Sequence, residues 1–115
     1  MDKRILEHIN ELFESYDLFG GDSSDTIREN AKSKFPDISE EELDALEEYL
    51  DGFYDYCLEF GDILAEKYKA PFLPNSENAK KETAGYVFEV QKKYPEIDEK
   101  HIIEFFSTDC WLTNR

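Results

Sequence analysis

The sequence has little of what membrane, secreted or loop-rich proteins need. Its 115 residues contain no continuous apolar run long enough to cross a bilayer, so we expect no transmembrane helix. Two cysteines are too few for a disulfide framework, and we interpret Cys57 and Cys110 as reduced thiols of a cytoplasmic protein. Five glycines and four prolines are too few for a fold rich in turns and short strands.

Bases are missing from the middle of the chain. Between residues 37 and 66 there are twelve Asp or Glu and no Lys or Arg. The formal net charge of the protein is −15, so this stretch accounts for most of it. Such a charge repels nucleic acid and anionic membranes. The composition therefore excludes direct binding to either and favours a basic protein as partner.

What the sequence does contain predicts an all-α fold. Hydrophobic residues make up 40% and aromatic residues 15%, enough for one domain over residues 1–115 with a buried core. The best start signal is Ser39, which has Glu42 three residues later in the spacing of a capping box. Apolar periodicity, caps and prolines predict a compact bundle of about five helices, the third of them long and central, over residues 3–19, 26–34, 40–68, 77–93 and 99–110 or 111.

Two segments of the chain resemble each other at an offset of 59 residues. Lys-Phe-Pro-Asp-Ile-Ser-Glu at 34–40 recurs as Lys-Tyr-Pro-Glu-Ile-Asp-Glu at 93–99. In each, a proline ends one helix and a capped helix follows, so we predict two similar helix–proline corner–helix units over 26–53 and 85–112. Either duplication or convergence explains them. The first corner also resembles the Phe-Pro corner of small three-helix domains of the CUE type, which implies a shared way of joining helices and no function.

Seven of the acids form what we call the acidic ridge. They are spaced by three and four residues along the third predicted helix, which places them on one face. The ridge consists of Asp44, Glu48, Asp51, Asp55, Glu59, Asp62 and Glu66. No base within the stretch offsets their repulsion, whereas a purely solvated helix usually gains from Glu–Lys pairs one turn apart.

Catalytic and metal-binding patterns are weak in comparison. Asp98 and His101 give one imperfect Glu-x-x-His-like pair, whereas a di-iron bundle needs two such pairs and further carboxylates. No third group accompanies a cysteine or serine with a histidine, as nucleophilic catalysis requires. Cys57 falls among the apolar positions of the third predicted helix, whereas the sequence leaves the placement and role of Cys110 and Trp111 open. We therefore predict no enzyme activity, no cofactor and no metal site.

The leading functional hypothesis is a non-catalytic binding protein that neutralises a basic partner. An immunity protein or antitoxin against a nuclease, or an inhibitor that mimics nucleic acid, would have this character. The predicted partner-binding residues are Asp44, Glu48, Asp51, Tyr54, Asp55, Glu59 and Asp62. The alternative is a structural or regulatory subunit of an oligomer, which would bury spare apolar residues such as Phe72 and Trp111. The sequence leaves open whether the protein is a monomer or a dimer.

Overall fold

The computed structural model describes residues 3–14 and 23–114, and within those residues every regular element is a helix. The described helices are α1 (Lys3–Glu7), α2 (Ile9–Glu14), α3 (Ser23–Lys34), α4 (Glu40–Tyr68), α5 (Glu77–Lys93) and α6 (Glu99–Asn114). The all-α prediction is confirmed, as are the bounds of the long helix α4 and of α5. No helix in the described part of the chain is both long and apolar enough to cross a membrane.

The first two predicted helices differ from those observed. A single helix over 3–19 was expected, but a turn at His8 separates α1 from α2. The interruption is small, because the His8 N–H still donates to Arg4 O at 3.2 Å and His8 O still accepts from the Leu12 N–H at 3.2 Å. The predicted start at Thr26 was wrong, since α3 begins at Ser23. The predicted end of the first helix, at residue 19, lies outside the described residues.

The chain groups into two compact units, residues 1–52 and 53–115, with the division inside α4. The predicted single domain over 1–115 stays a prediction. In the first unit, α1, α2, α3 and the beginning of α4 surround a mainly aliphatic core. Its members are buried to at least nine-tenths and comprise Ile5, Ile9, Leu12, Ile27, Ala31, Phe35, Leu43, Leu46 and Leu50.

The second unit has a more aromatic core, formed by the remainder of α4 with α5 and α6. The ring of Phe53 lies edge-on to Tyr94 at 5.4 Å and to Phe105 at 5.2 Å between centroids. The last turn of α6 contacts the end of α4, where the Asn114 side-chain amide donates to Ala65 O at 2.9 Å. Thus α6 extends three residues beyond its predicted end at Trp111.

The two proline corners have matching backbone hydrogen bonds. In the first, Phe35 N–H donates to Ala31 O at 2.8 Å, and Ile38 N–H donates to Phe35 O at 3.0 Å. In the second, Tyr94 N–H donates to Val90 O at 2.9 Å, and the N–H of residue 97 donates to Tyr94 O at 3.2 Å. The aromatic residue before each proline is buried, as expected, with Phe35 9% and Tyr94 7% exposed. Each unit therefore contains one copy of the same corner.

Candidate partner-binding site

The acidic ridge lies on α4, and all seven of its carboxylate residues are exposed. The start of that helix is fixed by Ser39, whose Oγ accepts from the Glu42 N–H at 3.2 Å, so Ser39 is the N-cap, as predicted from sequence. The apolar stripe on the opposite side of the helix is buried, which turns the carboxylates outward. In the first unit the exposed ridge residues are Asp44, Glu48 and Asp51, and in the second they are Asp55, Glu59, Asp62 and Glu66.

The first turns of α4 are partly neutralised by a base on α3. The Arg28 guanidinium, only 21% exposed, pairs with Asp44 at 3.1 Å and Glu47 at 3.0 Å, and it also binds Glu40. Lys32 lies 3.4 Å from Glu40 as well. These contacts raise the pKa of Arg28, and the two bases lower the pKa of Glu40.

Sequence reasoning missed this compensation because it considered only bases within the acidic stretch. A signal was present: Arg28 and Lys32 are one turn apart on the helix that ends at Pro36, and a corner of that kind brings the next helix back alongside. Among the described residues, therefore, Asp44 is the one predicted partner-binding residue whose carboxylate already has a cation at contact distance.

Beyond that point the acids are not compensated. Within residues 3–14 and 23–114, no salt bridge reaches Glu48 or Asp51 in the first unit, or Asp55 and Glu59 in the second. These four carboxylates are exposed and are spaced by three or four residues on one continuous helix. They can accept hydrogen bonds and charge from Lys or Arg side chains.

Tyr54 lies beside these acids but packs into its own unit. The residue is half-buried, and its ring meets Phe105 of α6 edge-on with 4.5 Å between centroids. It therefore connects the acidic face of the helix to the aromatic core. A contact between Tyr54 and a partner stays a prediction.

Asp62 differs from the rest of the ridge because it interacts with a carboxyl group on another helix, that of Asp109. Asp109 of α6 is only 8% exposed, and its Oδ2 atom has no hydrogen-bond partner. Burial, followed by the hydrogen bond and charge of Asp62, raises the pKa of Asp109 to about 7. Sequence reasoning gave Asp109 no role, although an acid among the apolar positions of an amphipathic helix was a signal.

Neither cysteine has the surroundings of a nucleophile. Cys57 is 2% exposed and burial raises the pKa of its thiol to about 12. Cys110, whose placement the sequence left open, is 1% exposed, and burial and then Asp109 raise the pKa of its thiol. In the described part of the chain, no group of three His, Cys, Asp or Glu residues has an arrangement that could hold a metal ion.

The two histidines differ in burial. The ring of His8, which is half-buried, is tilted against that of Phe35 with 5.7 Å between centroids, and His8 pairs with Glu11 at 3.1 Å. His101 is buried near the start of α6 and is 5% exposed.

A mainly apolar groove in the second unit, lined by Leu73, Val87 and Ile103, has only Lys80 and Glu99 as charged residues in its lining. No protein-family model, curated protein or solved structure matches this chain.

Proposed function

We propose that the protein is a non-catalytic, cytoplasmic binding protein whose acidic ridge neutralises a basic surface on a partner protein. A nuclease or another enzyme that binds nucleic acid is the partner class with the required charge. Immunity proteins, antitoxins and inhibitors that mimic nucleic acid work in this way. Reduced, buried thiols support the cytoplasmic assignment.

The observation that carries the proposal is the contrast along α4. Its first acids are compensated by Arg28 and Lys32, whereas Glu48, Asp51, Asp55 and Glu59 are exposed and have no salt bridge to any residue that the structure describes. Like charges one turn apart destabilise a helix by a few tenths of a kcal/mol for each pair, about 0.2–0.5. These four like charges therefore lower the stability of the helix, and a binding function would explain why they are present.

The spacing of these carboxylates supports a partner whose basic groove normally binds nucleic acid. Side chains on successive turns of a helix are about 5–6 Å apart. Successive phosphates along a nucleic-acid strand are a comparable distance apart, so Lys and Arg side chains placed to bind phosphates can reach successive carboxylates. An exposed helix face of this kind fits into a groove of the partner better than it fits onto a flat surface.

A charge-neutralised variant tests the proposal with a matched control. The ridge variant carries Glu48→Gln, Asp51→Asn, Asp55→Asn and Glu59→Gln. The control carries Glu7→Gln, Glu29→Gln, Glu89→Gln and Glu104→Gln, which removes four exposed acids outside α4 and gives the same net charge. Immobilised protein is incubated with lysate of the source organism at low salt, and retained proteins are identified by mass spectrometry.

We expect a basic protein to be retained by the native protein and by the control, and to be lost from the ridge variant. The purified partner should bind the ridge variant at least about fourfold more weakly in titration calorimetry, because four charge pairs are lost at about 0.2–1 kcal/mol each. Equal binding by the ridge variant would overturn the proposal. Equal loss from both variants would do the same, because it would show that only net charge matters.

A second candidate function is a subunit of an oligomer, and one observation favours it. All six of the large apolar side chains that are exposed in the described residues belong to the second unit. They are Leu58, Ile63, Phe72, Phe88, Trp111 and Leu112. Analytical ultracentrifugation separates the candidates, because a subunit of a homo-oligomer sediments as more than one chain at micromolar concentration.

A further inference from the structure

The end of α6 packs against α4 at two points in the second unit. At the first, Asp109 comes so close to Gly61 that a Cβ atom at residue 61 would lie 2.7 Å from Asp109 Oδ2. At the second, the Asn114 side-chain amide donates to Ala65 O at 2.9 Å and to Ala70 O at 3.3 Å. Residues 109–114 are therefore held to the C-terminal half of α4 by one carboxyl group and one amide.

The carboxyl group at the first point is in an unusual environment. Asp109 is 92% buried, its Oδ2 has no hydrogen-bond partner, and burial, followed by the carboxyl group of Asp62 on α4, raises its pKa. On its own helix, the Thr113 hydroxyl lowers that pKa, and Cys110 is the neighbouring titratable group. The ion pair between Lys67 of α4 and Glu82 of α5 is not among the groups that shift its pKa.

Asp109 is buried and Asp62 is exposed, so Asp109 is the carboxyl group whose charge is costly. A buried charge loses its hydration without compensation, and the carboxylate of Asp62 repels it as well. With a proton, the Asp109 carboxyl is neutral and avoids both penalties. The packing of α6 on α4 at Gly61 therefore depends on that proton.

We propose that Asp109, beside Asp62, forms a proton-dependent latch, which holds residues 109–114 of α6 against α4 when its carboxyl group is protonated and releases them when the proton is lost. The pKa of Asp109, raised to about 7, places the change near neutral pH. This inference is independent of the proposed partner, because it concerns only contacts within the second unit.

The sign of the effect follows from the direction of the shift. The folded pKa of Asp109 lies above its ordinary value of 3.8, so proton binding favours the closed latch. The stabilisation that Asp109 supplies is complete below pH 4 and is lost as the pH rises through about 7. Cys110 stays protonated over this range, since its thiol pKa is raised above 9.0.

Trp111 reports on the latch directly. It is the only tryptophan of the chain, is 40% exposed, and lies within the segment that would be released. Quenching of its fluorescence by acrylamide depends on access to the indole, and acrylamide carries no charge. Between pH 5.5 and 8.5 we expect the quenching constant to rise roughly twofold as the segment opens, with a midpoint near pH 7.

Two variants decide the assignment. Asp109→Asn keeps the shape of the side chain but cannot titrate, so the transition should disappear. Asp62→Asn, at an exposed position, removes the second carboxyl and should shift the midpoint to lower pH. Overturning results are a native protein with constant quenching across this range, an Asp109→Asn variant that folds and keeps the transition, or an Asp62→Asn variant with an unchanged midpoint.

Discussion

At the scale of single residues, the two helical glycines of the second unit give a matched comparison. Exchange of glycine for alanine inside a helix ordinarily stabilises it by about 1 kcal/mol, because alanine loses less backbone entropy. At Gly85 a Cβ atom meets nothing within 4 Å, whereas at Gly61 it would approach Asp109 Oδ2 to 2.7 Å and Asp109 Cβ to 3.2 Å. The same substitution should therefore have opposite effects at the two positions.

We predict that Gly85→Ala raises the free energy of unfolding by about 0.5–1 kcal/mol and that Gly61→Ala lowers it by about 1–3 kcal/mol. Urea denaturation followed by circular dichroism gives both values. A stabilised Gly61→Ala protein would contradict the close approach of α6 to α4. Gly85→Ala controls for the general gain in helix propensity.

Residue-scale features were the hardest to predict from the sequence. The buried position of Asp109 and its approach to Gly61 depend on how α6 crosses α4, which no local pattern specifies. The same holds for Tyr54, which was expected beside the acids and whose ring packs against Phe105. In contrast, the exposure of the ridge carboxylates follows from the 3.6-residue period alone.

At the scale of elements, prediction succeeded where the chain has chemical start and stop signals. The bounds of α4 and α5 were predicted correctly because Ser39 and Ser76 cap their first turns and a proline follows soon after the last turn of α5. The start of α3 was missed because several residues in this region can begin a helix. Thr26, with Glu29 three residues later in the spacing of a capping box, was chosen, whereas the helix begins at Ser23. The turn at His8 has no glycine or proline to indicate it.

The matching corners lead to a prediction about exchange. Giving the first corner the sequence of the second requires only Phe35→Tyr, Asp37→Glu and Ser39→Asp. Both corners have equivalent hydrogen bonds, and Asp and Ser are similarly good N-caps. The free energy of unfolding of the triple variant should therefore lie within about 1 kcal/mol of that of the native protein. Thermal unfolding followed by circular dichroism measures the difference.

The control for this exchange is Phe35→Ala, which keeps the backbone but removes a ring that is 9% exposed. It should lower the free energy of unfolding by about 3–5 kcal/mol because it leaves a cavity in the first unit. If the triple variant loses as much as Phe35→Ala does, the two corners are not equivalent.

At the scale of the whole molecule, the excess of negative charge governs the response to salt. With 28 acids and 13 bases, repulsion outweighs attraction, and screening it should stabilise the folded chain. We predict that the melting temperature rises when the ionic strength is raised from a low value to the physiological range, where the Debye length is about 8 Å. Differential scanning calorimetry measures the shift.

The ridge variant with four neutralised acids supplies the comparison. Its melting temperature should rise less with salt than that of the control variant, because the exposed and uncompensated acids of α4 contribute more to repulsion than scattered ones do. An equal salt response in both variants would mean that repulsion is spread evenly over the chain.

The exposed apolar side chains of the second unit make salt act in two directions. Ions that screen the carboxylates raise the conformational stability of each molecule. They also remove the mutual repulsion that keeps Phe72, Phe88 and Trp111 of different molecules from meeting. The colloidal stability of a concentrated solution therefore decreases under the same conditions in which the fold becomes harder to melt.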